Sequence, residues 1–399
     1  MSNVKKSTLN GNARRSTASG PKASSVKSTG RKVAKPRKST GKSNGRAPQS
    51  KTINLALQGG GTHGAFSWGV LDRVLEDGRL DIEGISGTSA GAMNAVVMAD
   101  ALASGGRDDA RERLQKFWRA TSTEAMGSPI QRSAIDVIFN NWSLDHNPAF
   151  VFYDLLTRLA SPYELNPLNI DPLRKVLEAQ VDFDRVHACD ALKIFISATN
   201  VHTGRARVFS GREVTADAVM ASACLPFIFQ AVEIDDTPYW DGGYMGNPVL
   251  HPFIDECGSP DVLLVQINPV RRNGTPTSAR EIMNRVNEIS FNGSLLKELR
   301  MVEFVNKCLR RGDLKGQPFR EIYMHRIDGG TGLEVLSPSS KVNAEWLFLT
   351  HLRDLGRACA AEWLDQHFND IGKNSTISIE PYFHMDDEAA NIYEKSGPA

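Results

Sequence analysis

The sequence contains no run of eighteen apolar residues, so nothing in it reads as a membrane-spanning helix. Its first residues, Met1-Ser2-Asn3-Val4-Lys5-Lys6, lack the apolar stretch of a secretory signal, and a cytoplasmic protein is expected. Cysteine is sparse: Cys189, Cys224, Cys257, Cys308 and Cys359 are odd in number, scattered and never spaced as C-x-x-C. They read as free thiols in a reducing compartment, with no disulfide framework, no metal site and no cofactor implied. Acid is missing from residues 1–51, which hold fourteen Lys and Arg among Ser, Thr and Gly. With hardly an apolar side chain to bury, that stretch cannot offset the entropy of ordering and is read as a disordered basic tail. The formal charge of +1 conceals this split, because beyond residue 51 stand 33 basic against 46 acidic side chains, a net −13. No aromatic interleaves the basic residues, which argues against specific nucleic-acid binding. Peripheral contact with an anionic membrane, or simple solubility, remains as the tail's role. The tail also lacks the apolar face of an organelle transit peptide.

The stretch around which the rest is organised is Gly87-Thr88-Ser89-Ala90-Gly91. An apolar-alternating segment, 81–86, leads in, and a small-residue helical pattern, 90–103, leads out. This strand–turn–helix context makes a G-x-S-x-G into a turn that exposes its serine. Upstream, Gly59-Gly60-Gly61-Thr62-His63-Gly64 follows the strand pattern 53–58 and precedes a helix beginning near Ala65. Such a glycine run frees backbone N–H groups to face an anion. A dinucleotide site would require an acidic residue at the end of the next strand, about 20 residues on. That strand ends instead in Ser86-Gly87-Thr88-Ser89, so the loop reads as an oxyanion hole and not a phosphate cradle. Further on, Trp240-Asp241-Gly242-Gly243 places a carboxylate at the end of a short strand before two glycines.

Taken in this order, the glycine loop, the G-x-S-x-G and the Asp-Gly-Gly resemble the patatin-like phospholipases, as does Ala221-Ser222-Ala223-Cys224-Leu225-Pro226 ahead of the aspartate. The resemblance lies between Leu55 and Pro252, about half the chain. It implies an α/β, three-layer fold around a central, mostly parallel sheet, and a Ser–Asp dyad that hydrolyses acyl esters without a histidine. On that reading Ser89 is the nucleophile and Asp241 its base, followed by Gly242 and Gly243. Gly87, Thr88, Ala90 and Gly91 shape the turn, and Gly59, Gly60, Gly61, Thr62, His63 and Gly64 form the oxyanion loop. One departure is His63, which stands where many members carry Arg or Lys. The implied substrates are lipid or other acyl esters: phospholipids, lysophospholipids, acylglycerols or polyester granules.

Elsewhere the pattern is structural. Residues 107–172 form a run of helical patterns rich in large apolar groups, broken by a loop at 161–169, in which a cap over acyl chains or a membrane contact is one reading. Strand patterns occupy 192–199, 205–210 and 231–235, with a helix over 214–224 between them. The continuous apolar run 262–267 predicts an interior parallel strand. Residues 278–311 repeat at helical spacing with a break near Asn292-Gly293, 320–327 reads as an edge strand, and 343–368 as a last amphipathic helix. The domain reading is a tail over 1–51, a hydrolase core over 52–270, an extension over 271–385 that completes the core or makes a homodimer face, and a flexible end over 386–399. A Ser–Asp–His triad is the enzymatic alternative, needing His251, His325, His351, His367 or His384 after the acid; none has a supporting local motif. A catalytically dead lipid-binding scaffold is the non-enzymatic one, against which the intact motifs argue.

Overall fold

The computed structural model describes residues 50–139, 141–272 and 274–379. The basic tail through residue 49, His384 and the stretch 386–399 lie outside the described residues. Eight strands are present: β1 (Lys51–Leu57), β2 (Leu80–Gly87), β3 (Lys193–Asn200), β4 (Ala206–Ser210), β5 (Val232–Ile234), β6 (Thr237–Asp241), β7 (Asp261–Gln266) and β8 (Tyr323–Asp328). They form one mixed sheet in the order β5-β6-β3-β2-β1-β7-β8, with β4 also paired to β3. The five strands from β3 to β8 are mutually parallel, while β4, β5 and β6 are antiparallel additions. The sequence therefore folds as a mostly parallel α/β sheet, and Lys51, assigned above to the tail, is the first residue of its second-most-central strand pair.

The parallel strands are apolar on both faces because helices cover both. Along β1, Ile53, Leu55 and Leu57 enter one core and Ala56 the other; along β7, Leu263 and Val265 alternate with Val262 and Leu264 in the same way. The larger core takes helices α1 (Gly64–Asp77), α2 (Ala90–Ser104) and α3 (Gly106–Ala125) together with the last helix, Trp346–His367. The smaller takes the short helix His251–Glu256 and the long helix Ala279–Arg311 through Leu295, Leu299 and Val302. α1 and the last helix lie very close: a Cβ on Gly69 would strike the Arg353 carbonyl, and one on Gly356 the Phe66 carbonyl. The residues after 270 thus add a strand to the sheet and a helix to its main core.

Three expectations change in detail. The long helix runs unbroken through Asn292 and Gly293, because Asn292 is buried and donates from its amide to the Pro269 carbonyl, 2.9 Å away, instead of ending the helix. The strand read at 231–235 is shortened to β5, Val232–Ile234, because Asp235 and Asp236, both at positive φ (49° and 58°), make the two-residue turn into β6, the short strand that ends at Asp241. The loop at 161–169 holds one helical turn, Pro162–Leu165, closed by a capping box between Ser161 and Glu164. Among the described residues, no helix is long and apolar enough to cross a membrane.

Candidate active site

The sheet brings two chain ends together. Gly87, the last residue of β2, lies beside Ile196 of β3, and Asp241, the last residue of β6, lies beside Ala198. β4 faces residues 195–199 of β3 and so occupies its opposite edge. A strand has only two edges, so β2 and β6 share the other one and run toward each other along it. Ser89 and Asp241 meet in the gap between them. This convergence is a product of topology, and no local pattern announces it.

Ser89 takes φ 54° and ψ −120°, a region that non-glycine residues avoid, at the start of α2. The strain is held from several directions. Its N–H donates to Ser222 Oγ at 2.8 Å. The preceding Thr88 is locked by its hydroxyl to Ser197 Oγ (2.7 Å) and to the Gly246 carbonyl (2.6 Å). A Cβ on Gly91 would strike the Leu57 carbonyl, so α2 leaves the turn directly against β1.

Asp241 is 2 % exposed and is held through its backbone N–H, its backbone carbonyl and Oδ1. Its N–H donates to the Cys224 carbonyl (2.7 Å), its carbonyl accepts from Thr199 Oγ1 (2.8 Å), and Oδ1 accepts from Gly243 N–H (2.7 Å). The Ser89 hydroxyl lies near enough to the carboxylate to draw its pKa down. Burial pushes the carboxyl up to about 7, against the pull of the Gly243 N–H and the Ser89 hydroxyl. Burial and the nearby Asp241 charge push the Cys224 thiol up to about 12, so it offers no competing thiolate near neutral pH.

The glycine loop packs on the serine: a Cβ on Gly59 would lie 2.7 Å from Ser89 Cβ. The six loop residues do not act alike. Gly59 N–H is taken by Asn247 Oδ1 at 2.7 Å, so that residue contributes close fit and not an anion donor, a correction to the sequence reading. Gly64 N–H closes the short turn Gly61–His63 onto the Gly61 and Thr62 carbonyls. No described residue accepts from the N–H of Gly60 or Gly61. The Thr62 hydroxyl donates to the Ser340 carbonyl (2.9 Å), and the buried His63 ring pairs through Nε2 with Ser340 Oγ (2.8 Å). Burial first, and then the Lys341 and Arg272 charges, hold His63 well below the ordinary histidine range, so it is neutral.

The segment Pro338–Val342 therefore clasps the glycine loop from the far end of the chain. Sequence reading found no chemistry there, and equally missed the roles of Ser222 and Asn268, whose partners lie more than a hundred residues away. Asn247, which the sequence places beside Pro248 in the loop just beyond Asp241, where holding that loop or simple packing were its two readings, accepts from the Gly59 N–H. The histidines of the alternative triad are elsewhere. His325 is buried against Asp261 (3.0 Å) and Thr376. Its β8 position is level with Leu263, Leu55 and Ile85, three strand spacings or about 14 Å from β2. His251 pairs with Glu298, His351 stacks on Trp142 and His367 meets Asp370. Among the described residues, no group of three or more His, Cys, Asp and Glu is placed to hold a metal.

The family model of the patatin-like phospholipases matches residues 55–254, from β1 through the loop beyond Asp241. The chain belongs to that family. It is thereby a lipid hydrolase in general type. No curated protein matches it by sequence. Solved structures similar to this patatin-like chain include VipD from Legionella pneumophila, at 13 % identity and a TM-score of 0.36, covering 86 % of this chain and 74 % of that one. The heterodimeric complex ExoU–SpcU from the type III secretion system of Pseudomonas aeruginosa matches at 15 % identity and a TM-score of 0.36, over 80 % of this chain. In that second case the chain spans about half, 52 %, of its counterpart.

Proposed function

We propose that the protein is a serine acyl hydrolase that cleaves carboxylic esters of lipids through Ser89 and Asp241, in the manner of a phospholipase A or lysophospholipase. The observation that carries this reading is the buried Asp241 carboxyl, raised to about 7 and set beside a strained serine at the meeting of β2 and β6. A serine hydroxyl is a weak nucleophile until a base takes its proton, and a carboxylate near pKa 7 matches that task at neutral pH. Ser89 Oγ attacks the ester carbon as Asp241 accepts the proton. The negative charge that develops on the carbonyl oxygen meets the N–H groups of Gly60 and Gly61, each such donor being worth about 3 kcal/mol of barrier. Asp241 returns the proton to the departing alcohol, then accepts one from the water that releases the acyl group.

The surroundings favour an apolar substrate. Met245 beyond Asp241, Phe227 beyond Cys224 and Val342 beside the glycine loop are all exposed. The helix Pro148–Leu159 has no fully buried side chain and presents Phe152, Leu155 and Leu159 outward. Exposed apolar groups of this kind are what an acyl chain or a lipid aggregate would cover. Ser89→Ala and Asp241→Asn, assayed on a panel of intact phospholipids, lysophospholipids and acylglycerols with the released products identified, test the reading. Both variants are expected to be inactive on every substrate that the wild type cleaves. Retained hydrolysis by Ser89→Ala would overturn it.

A further inference from the structure

Three groups stand in a line behind the glycine loop. Lys341 Nζ donates to Asn268 Oδ1 at 2.8 Å, and Asn268 Nδ2 donates to the Gly59 carbonyl at 2.7 Å. The Gly59 carbonyl and the Gly60 N–H belong to one trans peptide and point in opposite directions. Whatever holds that carbonyl on its outer side therefore aims the Gly60 N–H inward, toward the Ser89 side of the loop. A lysine ammonium only donates, so the Asn268 amide oxygen must face it, and the amide nitrogen is left for Gly59 O and Gln58 Oε1 (3.3 Å).

We infer that Lys341 is a positioning residue for ester hydrolysis, acting through Asn268 to aim and polarise the Gly60 N–H that meets the oxyanion. This rests on the reading of the site proposed above. The lysine touches no substrate; its charge reaches the reaction along a hydrogen-bonded chain of one side-chain amide and one peptide group. A positive end to such a chain strengthens each donor along it, and the effect is greatest where water is excluded. The surroundings keep the arrangement rigid: a Cβ on Gly61 would strike the Lys341 carbonyl, so lysine backbone and loop are in direct contact. The charged groups that act on the ammonium are Glu288 on the long helix and Arg272 in the loop after β7; Arg285 pairs with Glu288, and the nearby His63 on the glycine loop is neutral. Burial brings Lys341 down to about 8, with Glu288 pulling it back up and Arg272 pushing it further down. Arg272 and Arg285 both pair with Glu288, leaving that carboxylate shared among three cations.

Turnover of a short-chain p-nitrophenyl ester should then depend on two protonation states. It rises through about pH 7 as Asp241 becomes a base and falls above about pH 8 as Lys341 loses its charge. Lys341→Met should lower kcat about ten- to a hundredfold, less than outright loss of an oxyanion donor, and leave KM within about twofold. Its alkaline limb should disappear while the acid limb stays. Lys341→Arg should restore part of kcat and move the alkaline limb upward. In an Asn268→Ala background, Lys341→Met should add little further loss, since both act on the same peptide. If Lys341→Met proves unstable, the wild-type profile and the Asn268→Ala profile carry the test, because Asn268→Ala should also erase the alkaline limb. An alkaline limb that persists in Lys341→Met or Asn268→Ala, or a loss expressed in KM, would overturn the inference. Residual activity of Ser89→Ala would instead overturn the reading it rests on.

Discussion

At the scale of single residues, the site trades stability for chemistry, and Asp241 shows how much. Its folded-state pKa of about 7 lies above the 3.8 of an unfolded chain, so between those values the native state holds a proton that the unfolded state has lost. Stability contributed by the protonated carboxyl is complete below about pH 4 and is lost as pH rises through about 7. At 1.36 kcal/mol per unit, the loss is about 4 kcal/mol at most. Asp241→Asn keeps the shape and an oxygen for Gly243 N–H but never ionises. The variant should melt several degrees above wild type at pH 8, with the difference closing near pH 4, as differential scanning calorimetry would register. Equal melting at both values would mean that the carboxyl titrates normally. Gly61 makes the opposite case. At φ 59° and against the Lys341 carbonyl, it has no room for a methyl group, and Gly61→Ala should cut kcat at least tenfold while KM changes little. Steady-state kinetics on a soluble ester separates the two parameters.

Among the secondary elements, the long helix Ala279–Arg311 makes the clearest comparison between pattern and structure. Its sequence reads as two pieces because Asn292-Gly293 looks like a helix end, yet Asn292 finds a tertiary partner in the Pro269 carbonyl and the helix continues. Gly293 has nothing within 4 Å of where a Cβ would sit. Gly293→Ala should therefore stabilise the protein by about 1 kcal/mol, visible as a shift in denaturation midpoint without loss of activity. The same contrast runs through the molecule. Strands such as β7 were legible because burial on both faces leaves a continuous apolar run, and the Ser89 turn was legible because its strain demands small neighbours in a fixed order. The meeting of β2 and β6 on one edge of β3 was not, since it depends on the register of both against β3, and β2 pairs with residues more than a hundred positions away. Nor were Asn268 and Lys341, whose partners are set by the same long-range packing.

For the molecule as a whole, charge is the dominant asymmetry. Fourteen basic side chains and no acid precede a body of formal charge −13. Each Lys or Arg near an anionic bilayer contributes about 1 kcal/mol within a Debye length, and we propose that part of that set would hold the protein at such a surface. Deleting residues 2–49 should weaken sedimentation with phosphatidylserine vesicles at low salt, and the difference should vanish at 0.5 M salt. Hydrolysis of a small soluble ester should be unchanged by the deletion. Equal vesicle binding by both proteins at low salt would leave the tail with a solubilising role. The clasp between Thr62 and Ser340, separated by 278 positions in the chain, has a consequence for synthesis. A nascent chain that has extended to residue 330 already possesses Ser89, Asp241 and every glycine of the loop, but not the segment that holds the loop in place. On the ribosome, the proposed site therefore cannot be completed until the segment Pro338–Val342 has been made, well after Ser89 and Asp241.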